Sequence, residues 1–227
     1  MPRPARTVFP RLPIQASPLG RPITAPVRIP AARPAPSPLI DSAKSDLRRR
    51  HRQQRLQELP EVEAAIQAHA RRLLPPLLEG TGWLGLYWPL PGEVDLRILG
   101  TVLPGRVALP SVEAGDQGLV YRPWDPAQPL VRDACGLPAP APDAPPLQAA
   151  QLGLLLVPAL AFDGAGIRLG YGGGWFDRLR AAPPWRAVPA LVVLPSRCRV
   201  MALPRDPWDV PFPGCLDEGG VHWLQDV

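Results

Sequence analysis

Apolar residues follow two patterns in this chain, and the two patterns alternate along it. Short continuous apolar runs are typical of strands buried on both faces, and they predict strands at 83–87, 106–109, 119–122, 152–157 and 187–194. Helical spacing of apolar and charged residues predicts helices over 42–59, 61–74, 94–102 and 175–180, the first two separated at Pro60. A proline-rich connection at 138–146 interrupts the alternation.

Strands that alternate with helices predict the α/β class. The expected architecture is a three-layer α/β/α domain with a mainly parallel, Rossmann-like sheet and ligands at the carboxyl ends of its strands. Residues 41–227 are long enough for one such domain. Residues 1–40 hold eleven of the 35 prolines and six arginines, have no acidic residue, and show no periodicity. We expect them to form a disordered N-terminal extension.

The extension also carries the positive charge of the chain. Without its six arginines, 19 basic residues face 20 acidic ones, so the formal net charge changes from +5 to −1. No nucleic-acid-binding module is visible, and we expect no nucleic-acid partner. An alternative is an interaction protein that acts through its basic extension.

Two other features bear on the location of the protein. No apolar run of about eighteen residues exists, so no membrane span is expected. The three cysteines have no metal-ligand spacing, and their odd number favours reduced thiols in the cytoplasm. We expect a cytoplasmic monomer.

The glycine-rich segment 168–178, RLGYGGGWFDR, is the strongest candidate for a ligand site. It follows the predicted strand 152–157 and precedes a helix that begins at Trp175. Glycines let a backbone turn at positive φ and bring its N–H groups close to an anion, and Arg168 and Arg178 flank them. The spacing is neither Walker A nor G-x-G-x-x-G. The residues alone leave open a phosphate site or an ordinary flexible loop.

A longer segment, 157–178 (VPALAFDGAGIRLGYGGGWFDR), resembles the signature of 5-formyltetrahydrofolate cyclo-ligase, also called 5,10-methenyltetrahydrofolate synthetase. Three shorter segments resemble the same family. KSDLRRR has its Lys-x-x-Leu-Arg spacing and contains Lys44, the only lysine in the chain. WPLPGE ends in Glu93, at a strand-to-helix turn, and LPRDPWD places Asp209 five residues after Pro204. Three of these four segments follow predicted strand ends, and Lys44 must reach them from the first helix.

The resemblance implies ATP- and Mg²⁺-dependent cyclisation of 5-formyltetrahydrofolate to 5,10-methenyltetrahydrofolate in one-carbon metabolism, with release of ADP and phosphate. It implies catalytic roles for Lys44 and Arg168 and magnesium binding by Asp177 and Asp209. The implied ATP-binding residues are Lys44, Ser45, Asp46, Leu47, Arg48, Arg168, Leu169, Gly170, Tyr171, Gly172, Gly173, Gly174, Trp175 and Phe176. The implied folate-binding residues are Trp88, Glu93, Tyr171, Gly172, Gly173, Gly174 and Trp175.

The chain departs from the family pattern at several positions. Trp175 and Phe176 stand where two tyrosines are usual, which keeps flat apolar faces but removes two hydroxyl groups. The other departures are Leu96, Ala139, Ala159, Cys198 and Asp217. An alternative is therefore a cyclo-ligase-like paralogue that binds nucleotide or pterin without this activity.

Overall fold

The computed structural model of the chain describes residues 38–78, 80, 82–113, 115 and 118–224. Its strands are β1 (Trp83–Gly85), β2 (Val107–Val112), β3 (Leu119–Trp124), β4 (Val131–Arg132), β5 (Pro138–Ala139), β6 (Leu152–Pro158), β7 (Ala161–Asp163), β8 (Arg168–Leu169), β9 (Ala190–Val193), β10 (Arg199–Val200), β11 (Gly214–Asp217) and β12 (Gly220–Trp223). Its α-helices are α1 (Pro38–Leu73), α2 (Leu99–Val102), α3 (Trp175–Ala181) and α4 (Pro183–Arg186). Short 3-10 helices cover Pro75–Leu77, Ala149–Gln151 and Ser196–Cys198.

A seven-stranded sheet forms the centre of the described residues, in the order β12-β11-β9-β6-β1-β2-β3. Its five inner strands are parallel, and the two edge strands, β3 and β12, pair antiparallel with their neighbours. A small three-stranded sheet, β10-β7-β8, and a two-stranded sheet, β4-β5, complete the pairing. The predicted mainly parallel sheet is confirmed.

Alternate residues of the inner strands point into two separate cores. Leu154 and Leu156 of β6 pack in the core that α1 and α2 cover, whereas Leu155 and Val157 pack in the core beneath α3 and α4. A parallel sheet must be covered on both faces because both are apolar, which explains the continuous apolar run of β6. The predicted three-layer α/β/α architecture is confirmed.

Helix α1 is a single 36-residue helix, so the predicted break at Pro60 is wrong. Proline removes one helical hydrogen bond and usually kinks a helix. Here Leu59 and Ile66, on either side of the exposed Pro60, are buried against the same face of the sheet. Packing on both sides of the proline stabilises a continuous helix. Of the segment predicted to be disordered, residues 38–40 belong to α1 and the rest lie outside the described residues.

The other element predictions differ mainly in extent and direction. The helix predicted over 94–102 is reduced to α2, and the strands predicted at 83–87 and 187–194 are shorter than expected. The predicted strand 119–122 is present as β3 but runs antiparallel at the sheet edge. Strands β4, β5, β7, β8 and β10 to β12 were not predicted. All of them are two to four residues long, too short to show a periodicity in the sequence.

The predicted site segments meet at one edge of the central sheet. β1, β6 and β9 are adjacent and parallel, so the chain segments that follow their carboxyl ends lie side by side. These segments hold the turn with Glu93, the glycine-rich loop and the loop with Asp209. The first half of α1 crosses the same edge and brings Lys44 to it.

Candidate functional site

The first of two cavities at this edge is lined mainly by charged groups and glycines, and we call it the polar cavity. It has a volume of about 190 Å³. It is lined by Asp41, Lys44, Arg48, Arg168, Leu169, Gly170, Gly172, Gly173, Gly174, Asp177, Arg178, Asp206, Trp208 and Asp209. Four cationic and four anionic side chains therefore face the same space.

Lys44 is buried at the base of the polar cavity, with 8% of its surface exposed. Its ammonium group donates to Asp206 Oδ2 at 2.8 Å and to Asp209 Oδ2 at 2.5 Å. The N–H of Asp206 donates to the same oxygen of Asp209, which closes a small network. A compact ammonium fits between two carboxylates in a way that a planar guanidinium does not.

Arg48 connects α1 to the glycine-rich loop. Its Nε donates to the carbonyl oxygen of Gly170 at 3.1 Å. Gly172 and Gly174 adopt φ values of +105° and +63°, which side chains rarely allow, and Gly174 is the N-cap of α3. Glycine is therefore required at positions 172 and 174 by the backbone conformation of the loop.

The second cavity is lined mostly by aromatic, proline and aliphatic side chains, and we call it the apolar cavity. It has a volume of about 160 Å³. It is lined by Tyr87, Trp88, Leu90, Glu93, Pro110, Val112, Leu119, Asp133, Cys135, Leu137, Pro138, Pro158, Arg168, Tyr171, Gly173, Gly174, Trp175 and Phe176. Flat apolar walls of this kind suit a planar heterocycle.

Glu93 is a buried carboxylate in the apolar cavity, with 5% of its surface exposed. Its Oε2 accepts the N–H of Leu90 at 2.8 Å, whereas its buried Oε1 has no hydrogen-bond partner in the described residues. Burial raises the pKa of Glu93, and the positive charges of Arg55 and Arg168 act in the opposite direction. A buried acceptor without a partner is unfavourable unless a ligand supplies the donor.

Arginines hold two of the aromatic walls. The guanidinium carbon of Arg97 lies 4.6 Å from the ring centroid of Trp88, and Arg97 is itself fixed by hydrogen bonds to Asp95. The guanidinium carbon of Arg178 lies 4.2 Å from the ring of Trp175. These cation–π contacts fix the orientation of two flat walls of the apolar cavity.

Arg168, Gly173 and Gly174 line both cavities and form the wall between them. The Arg168 side chain is only 5% exposed; its Nη1 donates to the carbonyl of Pro158 at 3.0 Å, and its Nη2 lies 3.4 Å from Asp177 Oδ2. A fixed positive charge therefore stands where the contents of the two cavities would meet.

The structure sorts the predicted site residues between the two cavities. Among the predicted ATP-binding residues, Tyr171, Trp175 and Phe176 line the apolar cavity, and Ser45, Asp46 and Leu47 line neither. Ser45 and Asp46 are exposed, and Leu47 packs beside Leu169. Gly172, predicted for both ligands, lines only the polar cavity. The remaining predicted ATP-binding and metal-binding residues line the polar cavity, and the remaining predicted folate-binding residues line the apolar cavity.

Two buried residues of the site were missed from the sequence. Asp206 precedes Asp209 by three residues, and this Asp-x-x-Asp spacing in PRDPWD could have drawn attention to it. Arg55 belongs to an Arg cluster whose simplest interpretation was a solvated helix face, yet it is 1% exposed. One face of α1 carries positions 44, 48, 51 and 55. Their spacing of three or four residues indicates this shared face from the sequence alone.

The carboxylates of the polar cavity bear on magnesium binding. Among the described residues, no three His, Cys, Asp or Glu side chains come together as a ready-made metal site. Asp177 and Asp209 nevertheless line one cavity beside cations that suit phosphate. Mg²⁺ is commonly held by one or two carboxylates, with phosphate oxygens and water completing the shell, so this donor set fits it.

Comparison with known proteins identifies the family. The model of the 5-formyltetrahydrofolate cyclo-ligase family matches residues 40–216. The chain belongs to this family. It is therefore an enzyme, an ATP-dependent cyclo-ligase, and the family inferred from the four sequence segments is confirmed.

Individual cyclo-ligases agree with this assignment over nearly their whole length. The 5-formyltetrahydrofolate cyclo-ligase of Escherichia coli K12 is 29% identical over 179 residues, which cover 76% of this chain and 97% of the relative. The NMR structure of the 5,10-methenyltetrahydrofolate synthetase of Aquifex aeolicus has a TM-score of 0.65 at 27% identity, covering 81% and 94% of the two chains. The synthetase of Mycoplasma pneumoniae, at 21% identity and a TM-score of 0.59, covers 77% and 98% and supports the fold.

The departures from the cyclo-ligase pattern lie mostly away from the cavities. Trp175 and Phe176 line the apolar cavity, but none of the other five lines either cavity. Four of those five are buried apolar side chains, Leu96, Ala139, Ala159 and Cys198, and the fifth is Asp217.

No helix in the described part of the chain is long and apolar enough to span a membrane.

Proposed function

We propose that this enzyme uses ATP and Mg²⁺ to convert 5-formyltetrahydrofolate to 5,10-methenyltetrahydrofolate, with release of ADP and phosphate, in folate one-carbon metabolism. The observation that carries the proposal is the pair of cavities with a common wall. One has flat apolar walls and a buried acceptor, the other has cations and carboxylates, and Arg168 belongs to both. Such a pair suits a reaction that joins the formyl oxygen of a substituted pterin to a phosphate.

Each cavity would hold one substrate. The apolar cavity would take the reduced pterin between Trp88, Tyr171 and Trp175, with ring N–H donors directed to Glu93. The polar cavity would take the triphosphate beside Lys44, Arg48 and the glycine-rich loop.

The formyl group must be activated before its oxygen can leave. Its oxygen is a poor leaving group until it attacks the γ-phosphate of ATP and displaces ADP. N10 of the folate then forms a bond to the activated carbon, loses its proton, and the former formyl oxygen departs with phosphate. Phosphoryl transfer depends mainly on positioning and charge neutralisation. Lys44 and Arg168 would supply positive charge on two sides of the transferred group.

Magnesium would be held by Asp177 and Asp209 together with phosphate oxygens and water. When bound, it supplies neutralisation of phosphate charge. Asp209 contacts Lys44 at 2.5 Å, so in this proposal one carboxylate would interact with both cations.

Release of ADP tests the coupling of the two cavities. With ATP and Mg²⁺, we expect ADP to form in proportion to 5-formyltetrahydrofolate and not to form with tetrahydrofolate, which lacks the formyl oxygen. ADP release that is equally fast with both folates would contradict the proposed reaction.

Replacing Glu93 by glutamine is expected to weaken folate binding without lowering the stability of the fold. Loss of a charged acceptor should lower kcat/KM for the folate about tenfold or more, with KM for ATP unchanged. Burial raises the pKa of Glu93, so ionising this carboxyl group costs more in the folded protein than in the unfolded chain. Stability linked to such a group is present below its ordinary pKa and lost as pH rises through the raised one. Glu93→Gln should therefore unfold no earlier than wild type at neutral pH.

The pH dependence of folate binding gives the matching control. Folate affinity should fall as pH drops through the raised pKa of Glu93, because the protonated group loses an acceptor, and Glu93→Gln should lack this acid limb. An unchanged acid limb in the variant would show that another group produces it.

Replacing Asp177 by asparagine is expected to raise the Mg²⁺ concentration that gives half-maximal activity at least about tenfold, because a charged oxygen ligand is lost. Initial rates over a range of Mg²⁺ at saturating ATP measure this. The matched control is Asp143→Asn, since Asp143 is exposed and lies outside both cavities. An Asp177→Asn protein with a wild-type Mg²⁺ dependence would remove Asp177 from the metal site.

We propose that the enzyme acts in the cytoplasm as a monomer. The cysteines are free thiols in the structure, and Cys198 and Cys215 are buried. Light scattering after size-exclusion chromatography would measure the oligomeric state.

A further inference from the structure

Arg55 is a buried cation that lines neither cavity. It projects from α1 with 1% of its surface exposed. In the part of the chain that the structure describes, it forms no ion pair with a carboxylate, and its Nε has no hydrogen-bond partner. Burying a charge without a paired carboxylate is unfavourable for folding. The position is therefore better explained by what Arg55 does to its neighbours than by its contribution to stability.

The Arg55 guanidinium forms hydrogen bonds to two segments beside the apolar cavity and lies near a third. Its Nη1 donates to the carbonyl of Ala159, just after β6, at 3.1 Å. Its Nη2 donates to the hydroxyl of Tyr171 in the glycine-rich loop. The same Nη2 lies 3.7 Å from where a Cβ on Gly92 would stand, beside Glu93. One side chain therefore connects the end of β6 to the glycine-rich loop, close to the turn that carries Glu93.

The hydrogen bond from Arg55 restrains the Tyr171 side chain. The guanidinium carbon of Arg55 lies 5.3 Å from the Tyr171 ring centroid, and that of the exposed Arg52 lies 5.5 Å from it. The ring itself lines the apolar cavity. Because the hydroxyl is an acceptor for Arg55, movement of the ring away from this position is restricted.

Arg55 also acts on Glu93 through its charge. The groups that influence the pKa of Glu93 come from four segments: the N–H of Leu90 in its own turn, Arg55 on α1, Tyr171 in the glycine-rich loop and Arg168 on β8. Burial raises the pKa of Glu93, and the charge of Arg55 partly offsets this effect. An ionised Glu93 is the form that accepts N–H donors from a ring edge.

We propose that Arg55 is a positioning residue of the folate site, which fixes Tyr171 as a wall of the apolar cavity and places a positive charge beside the turn that carries Glu93. This inference rests on the proposed function, because it assumes that the apolar cavity binds the pterin. Arg55 touches neither reactant and acts through Tyr171 and Glu93.

Calorimetric titration of the full-length protein with 5-formyltetrahydrofolate tests the inference without relying on turnover. Arg55→Met keeps an unbranched apolar side chain and should raise the dissociation constant at least about tenfold, the effect of losing a charge-assisted contact. The acid limb of folate binding should move to higher pH, and Arg55→Lys should restore part of both effects. The KM for ATP should stay within about twofold of wild type, since no contact of Arg55 reaches the polar cavity.

The control is Arg50→Met, on the exposed face of the same helix, which should bind folate as wild type does. Wild-type affinity and an unshifted acid limb in a folded Arg55→Met protein would overturn the inference. If Arg55→Met does not fold, Arg55→Lys, Tyr171→Phe and the double variant are compared instead. Non-additive effects on folate binding support the inference, and additive effects overturn it. A wild-type protein that binds no folate would instead remove the proposed function, and the inference with it.

Discussion

Replacing Lys44 by methionine is expected to lower kcat/KM for ATP at least about a hundredfold, with folate affinity nearly unchanged. Lys44 is the only lysine of the chain and is buried between Asp206 and Asp209. Its removal would take away a phosphate contact and also leave two neighbouring carboxylates without their cation. Both effects oppose binding of a triphosphate in the polar cavity.

Steady-state rates over a range of ATP concentrations, at saturating folate, measure the Lys44 effect. Lys44→Arg keeps the charge but replaces a compact ammonium by a planar group, so we expect only partial recovery. Arg50→Met again serves as the surface control. A Lys44→Met protein that keeps full turnover at low ATP would exclude Lys44 from the phosphate site.

Replacing Arg168 by methionine is expected to lower kcat by about 10² to 10³, the usual effect of removing a fixed donor that faces developing charge. Arg168 is the residue whose side chain lines both cavities, with only 5% of that side chain exposed. The loss should appear in kcat more than in KM for either substrate, because the charge develops between the two cavities during transfer.

Rates at saturating ATP and folate test the Arg168 prediction. The guanidinium also donates to Pro158 and lies near Asp177, so thermal unfolding must accompany the kinetics. Arg168→Lys keeps the charge without the two-pronged geometry and should fall between wild type and Arg168→Met. A folded Arg168→Met enzyme with a wild-type kcat would show that the common wall takes no part in the chemistry.

The sequence predicted the sheet well because its inner strands are buried on both faces. The run at Leu152–Pro158 is continuous for this reason, and its residues fill two cores. Helix α1 was harder to predict. Its buried stripe is apolar at Leu59 and Ile66 but cationic at Lys44 and Arg55, so a pattern based on hydrophobicity could not connect the two halves.

The site was predicted from linear motifs, and its limits follow from that. Glu93, Arg168 and Asp209 each lie in a recognisable segment and are found at the expected edge of the sheet. The division into two cavities could not be predicted, because it depends on how Tyr171 and Trp175 turn away from Gly172. Arg55 was missed because its role comes from contacts with residues 104 and 116 positions away in the chain.

Absorbance of the methenyl product gives the most direct test of the proposed reaction. Purified protein is mixed with 5-formyltetrahydrofolate and Mg²⁺, with ATP omitted in the control, and with Arg168→Met and Arg50→Met proteins alongside. We predict a rise at the methenyl band that requires ATP, is strongly reduced in Arg168→Met and is unchanged in Arg50→Met. No rise from folded wild-type protein would contradict the proposal and favour a paralogue that keeps the two cavities without this reaction.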